Sequence, residues 1–410
     1  MRVWFNPRAV ALSCALLAAS VLIGAADLPG HNGPIRALAA AGGRVVSGSF
    51  DSTAIIWPEG RVLAGHDGAV NAVAMLADGV ATGGADGRVL LWRGDAAPVV
   101  LAGHTAPVSA LAVSGGRLAS ASWDGTVRLW AADGTAQVLS GHVGTVTSVA
   151  WAPDGTVVSA GYDGTLRIWA KDGSAQVLTI GAPENAVAVA GDGEVAAAGA
   201  DGTLRLIRPG AEPRPLAVDT TPITALALSP DGSRIAVVSI GGAAVVVDRV
   251  SLRVVTVFLG TEHPLWAVAW DGDAVVTGGA GRVVRRWDAS SGKLLGTFGS
   301  APPAEILPAG DRGAQVFRAC QPCHSLAADQ GPRAGPSLHG IFGRRVGTLA
   351  GFNYSQALRG MDIVWTPETV ARLFEIGPQA MTPGTRMPEQ RISDSADRAA
   401  LIGFLEGATK

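Results

Sequence analysis

The stretch Ser122–Trp130, "SWDGTVRLW", is one copy of a pattern that recurs along the first three quarters of the chain. Close copies occupy residues 49–57 ("SFDSTAIIW"), 84–92 ("GADGRVLLW") and 161–169 ("GYDGTLRIW"). Weaker copies end at Ile207, Val247 and Trp287, so successive ends lie 35 to 40 residues apart. Seven units of this length predict an all-β, seven-bladed propeller with four strands in each blade.

Each unit is predicted to be made of short strands. In the copy that begins at Ser122, Val127 and Leu129 alternate with Arg128 and Trp130, which is the period of a strand with two different faces. Asp-Gly pairs separate these runs, and both residue types tolerate the positive φ of tight hairpin turns. The region contains no helical pattern of about 12 residues.

Four of the units share a set of polar residues at fixed spacing. A Gly-His pair comes first, a Ser or Thr follows, and an Asp stands 20 or 21 residues after the His, with Trp six residues later. The sets are His31, Ser47, Asp51, Trp57; His66, Thr82, Asp86, Trp92; His104, Ser120, Asp124, Trp130; and His142, Ser159, Asp163, Trp169. A buried Asp needs hydrogen-bond donors, and these residue types supply them.

This arrangement resembles the WD-repeat propeller family, whose blades carry a His–Ser/Thr–Asp–Trp hydrogen-bond network. A Ser/His/Asp catalytic triad is the competing interpretation, but one active site per blade is implausible. Blades five to seven lack the set, since Gly241 and Gly281 replace the Asp. We expect those blades to rely on apolar packing. The order of the units also predicts that each blade is contiguous in sequence, with no strand exchanged between the first and last blades.

The sequence changes character after a Pro-rich stretch at 300–308, and Cys320-Gln-Pro-Cys323-His324 follows. Cys-x-x-Cys-His is the attachment motif of c-type haem, in which two thiols add to the porphyrin and the His faces the iron. A thioredoxin-like pair would need a βαβ context, and a zinc site would need a second pair of ligands. One motif predicts one haem c per chain, covalently bound.

The stretches "GAQVFRACQPCH", "GPSLHGIFGR", "GFNYSQAL" and "PGTRM" resemble class I, mitochondrial-type cytochromes c, an all-α family. The resemblance implies that His324 and Met387 are the axial ligands of the iron, and that the Pro336 carbonyl accepts the Nδ1 proton of His324. Met361 and Met381 are rival thioethers, but only Met387 closes the Pro-Gly-Thr-x-Met loop. The resemblance further implies a set of residues that bind the haem propionates: Arg344, Tyr354, Trp365 and Thr385.

The composition and the N-terminus bear on location and partners. A net charge of −2 and 16% charged residues do not suggest a nucleic-acid partner. Two arginines followed by an apolar run at 9–25 predict a signal peptide, or alternatively a membrane anchor, and hence a periplasmic protein. We therefore divide the chain into a signal peptide or anchor (1–26), a propeller (27–299), a linker (300–308) and a class I cytochrome c domain (309–410).

Two functions are compatible with this organisation. In the first, the chain is an exported mono-haem electron carrier, not an enzyme, and its propeller is a scaffold on which a redox protein docks. In the second, the chain is a periplasmic oxidoreductase whose propeller holds a second cofactor or a substrate and exchanges electrons with the haem. We favour the first, because the repeated polar networks account for their own residues and leave no catalytic set between 27 and 300.

Overall fold

The structure is a computed structural model, and it describes residues 30–208, 210–261, 264–299, 307–328, 333–352, 354–387 and 390–410. The predicted signal peptide and most of the predicted linker lie outside these ranges. The strands fall between Ile35 and Phe298 and the helices between Arg312 and Ala408. Among the described residues no helix is both long and apolar enough to cross a membrane.

Seven antiparallel sheets of four strands each form the propeller. The strands of blades one to four are β1 Ile35–Ala41, β2 Arg44–Ser49, β3 Thr53–Trp57, β4 Arg61–Ala64, β5 Val70–Leu76, β6 Gly79–Gly84, β7 Val89–Trp92, β8 Val99–Leu101, β9 Val108–Ser114, β10 Arg117–Ser122, β11 Thr126–Trp130, β12 Ala136–Ser140, β13 Val146–Trp151, β14 Val157–Gly161, β15 Thr165–Trp169 and β16 Ala175–Thr179. Those of blades five to seven are β17 Glu184–Val189, β18 Val195–Gly199, β19 Thr203–Ile207, β20 Arg214–Ala217, β21 Ile223–Leu228, β22 Arg234–Ser239, β23 Ala244–Asp248, β24 Arg253–Val257, β25 Leu265–Asp271, β26 Ala274–Gly279, β27 Val284–Asp288 and β28 Leu294–Phe298.

The ring closes without strand exchange, which confirms the prediction of contiguous blades. The first sheet has the order β1-β2-β3-β4 and the last has the order β25-β26-β27-β28. Strand β1 packs directly against β25. Apolar contact contributes to closure, since Ile35 and Ile55 of the first blade share one buried cluster with Val276 and Val284 of the seventh. Trp57 also stacks on Phe298, with ring centroids 5.7 Å apart.

The four predicted polar networks are present and nearly identical. In each, the His Nδ1 lies 2.8–3.1 Å from the Asp carboxylate, and the His Nε2 lies 2.7–2.8 Å from the hydroxyl. The Trp Nε1–H donates to the same hydroxyl at 2.8–2.9 Å. Because a carboxylate only accepts, Nδ1 carries the proton and Nε2 accepts from the hydroxyl. Burial lowers the pKa of His104 and of His142, which keeps these rings neutral. Each hydroxyl is fully buried and makes two hydrogen bonds, so its role is structural.

Blades five to seven do not rely on apolar packing alone, so that expectation was wrong. In blade five, Arg205 bridges Glu184 and Asp201. In blade six, Asp219 accepts from Ser239 and Thr221. Blade seven keeps part of the common network, with Trp287 donating to Thr277 at 2.8 Å. The strand ends of these blades still leave polar groups to satisfy, and different side chains satisfy them.

The blade-five carboxylate of Glu184 makes stability depend on pH. Its side chain is fully buried, its Oε1 lies 3.1 Å from Arg205, and its Oε2 has no hydrogen-bond partner. Burial raises the pKa of Glu184 to about 7, against the attraction of Arg205. A carboxyl group whose pKa is raised on folding stabilises the folded state in its protonated form. This stabilisation is complete below the unfolded-state pKa and is lost as the pH rises through 7.

We therefore expect that raising the pH from 5 to 8 lowers the urea midpoint of the wild-type chain more than that of Glu184→Gln. The glutamine of that variant does not titrate. At about 1.36 kcal/mol per pKa unit the difference is on the order of 2–3 kcal/mol in the free energy of unfolding. The exposed Glu212 of the same blade provides the control, because Glu212→Gln should follow the wild type. Parallel pH profiles for the wild type and Glu184→Gln would contradict this prediction.

The described residues of the C-terminal domain contain five helices: α1 Arg312–Phe317, α2 Gln356–Arg359, α3 Pro367–Ile376, α4 Pro378–Met381 and α5 Ser395–Ala408. Helices α1 and α5 cross at close range. A Cβ on Gly313 would lie 2.1 Å from the Ala400 carbonyl oxygen, so only glycine fits there. Phe317 packs on Phe404 with ring centroids 5.6 Å apart. This crossing supports one side of the cavity described next.

Candidate functional site

A cavity of about 570 Å³ lies in the C-terminal domain on its side next to the propeller. Its wall inside that domain is largely apolar, with Phe317, Leu338 and Phe374 among the lining residues. The nine site residues predicted from the sequence all line this one cavity: Cys320, Cys323, His324, Pro336, Arg344, Tyr354, Trp365, Thr385 and Met387. Residues spread over 68 positions of the chain therefore meet at one place.

The two cysteines lie on a helical turn that continues from α1. The Cys323 N–H donates to the Cys320 carbonyl at 3.1 Å, and the His324 N–H donates to the same oxygen at 2.9 Å. This turn brings both thiols and the imidazole to the cavity wall. The thiols are not joined in a disulfide. Burial raises the pKa of Cys320 to about 12 and that of Cys323 to about 11. A reactive redox dithiol needs a lowered thiol pKa, so the environment is wrong for that function.

The His324 ring is held by its own loop. Its Nδ1–H donates to the Pro336 carbonyl at 2.8 Å, which leaves Nε2 as the nitrogen that can bind a metal. Burial lowers the pKa of His324, so the ring stays neutral as a ligand must. Gly335 makes room for the ring, since a Cβ there would lie 2.4 Å from the His324 Cε1. Gly335 was not among the residues predicted from the sequence, although its place beside Pro336 was a signal.

Of the three candidate thioethers, Met387 is the one that lines the cavity. Its N–H donates to the Thr385 hydroxyl at 3.1 Å, which fixes the loop that follows α4. Met381 instead packs in the core of the domain, and Met361 lies outside the cavity wall. The Pro-Gly-Thr-x-Met loop thus places the predicted methionine on the cavity surface.

The remaining predicted residues provide polar groups on the cavity wall. The Arg344 guanidinium donates to the carbonyls of Ser337 and His339, at 2.7 and 3.1 Å. Burial lowers the pKa of Arg344 and raises that of Tyr354, and the two groups lie within electrostatic range of each other. A fixed guanidinium beside a phenol, an indole and a hydroxyl suits carboxylate groups. Their roles as propionate ligands stay a prediction.

The donor set and the shape of the wall fit a covalently attached haem. Two thiols three residues apart, a neutral imidazole with a fixed tautomer and a thioether surround one largely apolar cavity. Among the described residues, no cluster of three or more His, Cys, Asp or Glu side chains could hold a bare metal ion. The site is therefore of the kind that binds iron within a porphyrin.

The propeller also lines this cavity, which the sequence motifs do not predict. Asn32, residues 50–53 and residues 64–67 form part of the wall. These are the turns of blades one and two that carry the Asp and the Gly-His pair. Nothing in the local motifs predicts which turns face the second domain, because that depends on how the two domains pack.

Comparison with known proteins agrees with this picture. Residues 25–58, 59–93, 98–131 and 134–170 match the family described as WD domain, G-beta repeat, and residues 310–409 match the family described as Cytochrome c. Cytochrome c of Arabidopsis thaliana is 40% identical over 110 residues, which is 26% of this chain and 97% of that protein. Cytochrome c of Ulva intestinalis is 40% identical over 114 residues, covering 28% of this chain and 98% of that protein.

The C-terminal domain is thus a haem-binding electron-transfer domain. The chain belongs to the cytochrome c family through that domain, and it joins the family's fold to a propeller built from WD repeats.

Proposed function

We propose that this chain is an exported, class I mono-haem cytochrome c that transfers single electrons between redox partners, with its propeller as the docking scaffold. The observation that carries the proposal is that Cys320, Cys323, His324 and Met387 all line one cavity. When bound, haem c supplies a one-electron Fe(III)/Fe(II) couple. The single Cys-x-x-Cys-His motif sets one haem per chain.

The residues of the cavity have separate tasks in this proposal. Cys320 and Cys323 would hold the macrocycle through thioether bonds. His324 Nε2 and the Met387 sulfur would be the ligands of the iron, while the Pro336 carbonyl holds the imidazole in its metal-binding tautomer. Iron held by both groups would have no free site for oxygen or a substrate, which favours outer-sphere exchange. Arg344, Tyr354, Trp365 and Thr385 would hold the propionates.

Export to the periplasm is part of the proposal and rests on the N-terminal sequence. Two arginines precede an apolar run that ends in small residues, as in signal peptides. Whether the segment is cleaved or stays as an anchor, it places the haem domain outside the cytoplasm.

Exposed apolar side chains on the propeller support the docking role. Trp123 and Tyr162 are 53% and 57% exposed, and each precedes the Asp of its blade. Phe50 holds the same position in blade one and lines the cavity. Val143, 80% exposed, follows the His of blade four, as Asp67 does in blade two. By this equivalence the exposed side chains lie on the face of the propeller that carries the cytochrome domain. Exposed aromatic residues are typical anchors of protein interfaces.

We expect the double variant Trp123→Ser/Tyr162→Ser to be oxidised by respiratory membranes of the native host at least about tenfold more slowly than the wild type. Loss of roughly 1.4 kcal/mol of docking energy gives that factor. Oxidation by ferricyanide should not change, since it needs no docking surface. The control Val99→Ser/Val177→Ser removes exposed apolar side chains from outer strands β8 and β16 and should behave like the wild type. Equal membrane kinetics for all three proteins would remove the docking role.

A further inference from the structure

Hydrogen bonds join the propeller to the rim of the haem cavity. The Ala334 N–H, beside the loop that holds His324, donates to the Asn32 carbonyl at 2.7 Å. The Arg386 Nε–H, next to Met387, donates to the Asp67 carbonyl at 3.0 Å. A Cβ on Gly33 would lie 2.6 Å from the Cβ of Ala334, so the two backbones are in close contact. The propeller therefore covers the cavity on the sides of both proposed iron ligands.

Two blades of the propeller have a strained backbone position at this same contact. One turn position, directly after the blade Asp or its replacement, has positive φ in every blade. Five blades place glycine there: Gly87, Gly125, Gly164, Gly202 and Gly242. Blade one instead has Ser52 at φ 70°, and blade seven has Arg282 at φ 60°. The left-handed conformation costs a non-glycine residue roughly 1–2 kcal/mol. The propeller fold does not require these side chains, because glycine serves in the other five blades.

Ser52 and Arg282 both face the cytochrome domain. Ser52 lines the cavity. The Arg282 side chain is buried, with the residue 5% exposed, and its Nη1–H donates to the Asn32 carbonyl at 3.2 Å. Arg282 also lies within electrostatic range of Cys323 and Arg333. At this turn position a strained non-glycine residue is kept only in the two blades that meet the other domain, which indicates a function for these two side chains.

The charges beside Cys323 sum to a positive value. Arg282 and Arg333 are both buried, and the nearby carboxylate is Asp51, whose pKa is lowered in the His31 network. Burial and the neighbouring Arg333 lower the pKa of Arg282 to about 10, so it is still charged at neutral pH. Two cations and one carboxylate leave one net positive charge. Because both cations are buried, where charges are screened less than in water, that charge opposes a further positive charge on the iron.

We propose that the propeller is part of the haem site: the turns of blades one and two close the cavity, and Arg282 of blade seven supplies a buried positive charge that favours the reduced haem. Reduction lowers the charge on the iron by one, so a fixed cation nearby stabilises the reduced form. Closure adds to this effect, because excluding water disfavours the more highly charged oxidised form. This inference rests on the proposed haem site.

The variant Arg282→Gly tests the inference without harming the fold. It restores the residue type used in five other blades, so relief of backbone strain offsets loss of the bond to Asn32. In the intact full chain we expect the ratio of reduced to oxidised protein at a fixed applied potential to fall about threefold or more. Loss of the bond to Asn32 should open the contact, so a neutral water-soluble quinol should reach the haem and reduce it several times faster, despite the smaller driving force. Amide exchange at Ala334 should also accelerate, which reports the domain contact without reference to the haem.

Arg93→Gly is the matched control. It also removes one positive charge from the propeller, but Arg93 is exposed and pairs with Asp78 at the far end of blade two. It should leave the redox ratio, the rate of quinol reduction and the amide exchange of Ala334 at wild-type values.

A second pair of variants, Asp67→Lys and Asp78→Lys, tests closure. The two substitutions change the charge equally, but of the two residues it is Asp67 that contacts Arg386. Asp67→Lys should speed quinol reduction and Ala334 exchange, and Asp78→Lys should not.

The failure of this inference can be told apart from that of the haem assignment. A wild-type chain without covalently bound haem would overturn the proposed function itself. Haem-loaded Arg282→Gly and Asp67→Lys chains with wild-type redox ratios and quinol rates would overturn the inference and leave the haem assignment intact. Faster Ala334 exchange with unchanged redox behaviour would also overturn it, because the domains would then touch without the propeller contributing to the site.

Discussion

Replacing Met387 by alanine will abolish the weak absorption band at the red edge of the oxidised spectrum that reports sulfur bound to iron. It will also lower the midpoint potential by about 0.2 V. The choice of axial ligands changes haem potentials over a range of roughly 0.8 V. The reason is that a soft thioether favours Fe(II) over Fe(III). Absorption spectroscopy and a potentiometric titration of the full chain measure both effects. The Met387 loop is fixed by its bond to Thr385, so the change should be local.

Met381→Ala is the control for this prediction. Met381 packs against the core of the cytochrome domain but does not line the cavity. Its truncation should cost stability and leave the band in place. If Met381→Ala removed the band and Met387→Ala kept it, the assignment of the distal ligand would be wrong.

The propeller was predictable because its determinants are local and repeated. The alternating strand pattern and the Asp-Gly turns define each blade, and the four polar sets occupy their expected places with hydrogen bonds close to 2.8 Å. Closure by blades one and seven followed from the order of the units. The cavity residues were predictable for a different reason. The spacing of Cys320, Cys323 and His324 suits one chemical group, and the family resemblance supplied the others.

What the sequence did not reveal depends on contacts between distant segments. Glu184 and Arg205 are 21 residues apart in a blade that lacks the common set, and their pairing follows no repeat. The closure of the haem cavity by the propeller depends on packing between two domains. One signal was nevertheless readable. Ser52 and Arg282 interrupt a position that is glycine in the five other blades, and both lie at the domain contact.

Replacing both Cys320 and Cys323 by alanine will abolish covalent haem attachment. The two thiols are the points at which the polypeptide bonds to the porphyrin, and neither is engaged in a disulfide. Haem that remains in the variant through His324 alone will pass into acidified organic solvent when the chain is denatured. Gln321→Ala is the control, because it alters the same turn without removing a thiol. That variant should retain its haem.

The central claim is that this chain is a mono-haem c-type electron-transfer protein, and the pyridine haemochrome assay of the denatured full-length wild type tests it most directly. The account predicts a c-type haemochrome spectrum, with one haem per chain remaining on the polypeptide after extraction with acidified solvent. Haem that passes freely into the solvent, or a polypeptide that carries none, would contradict it.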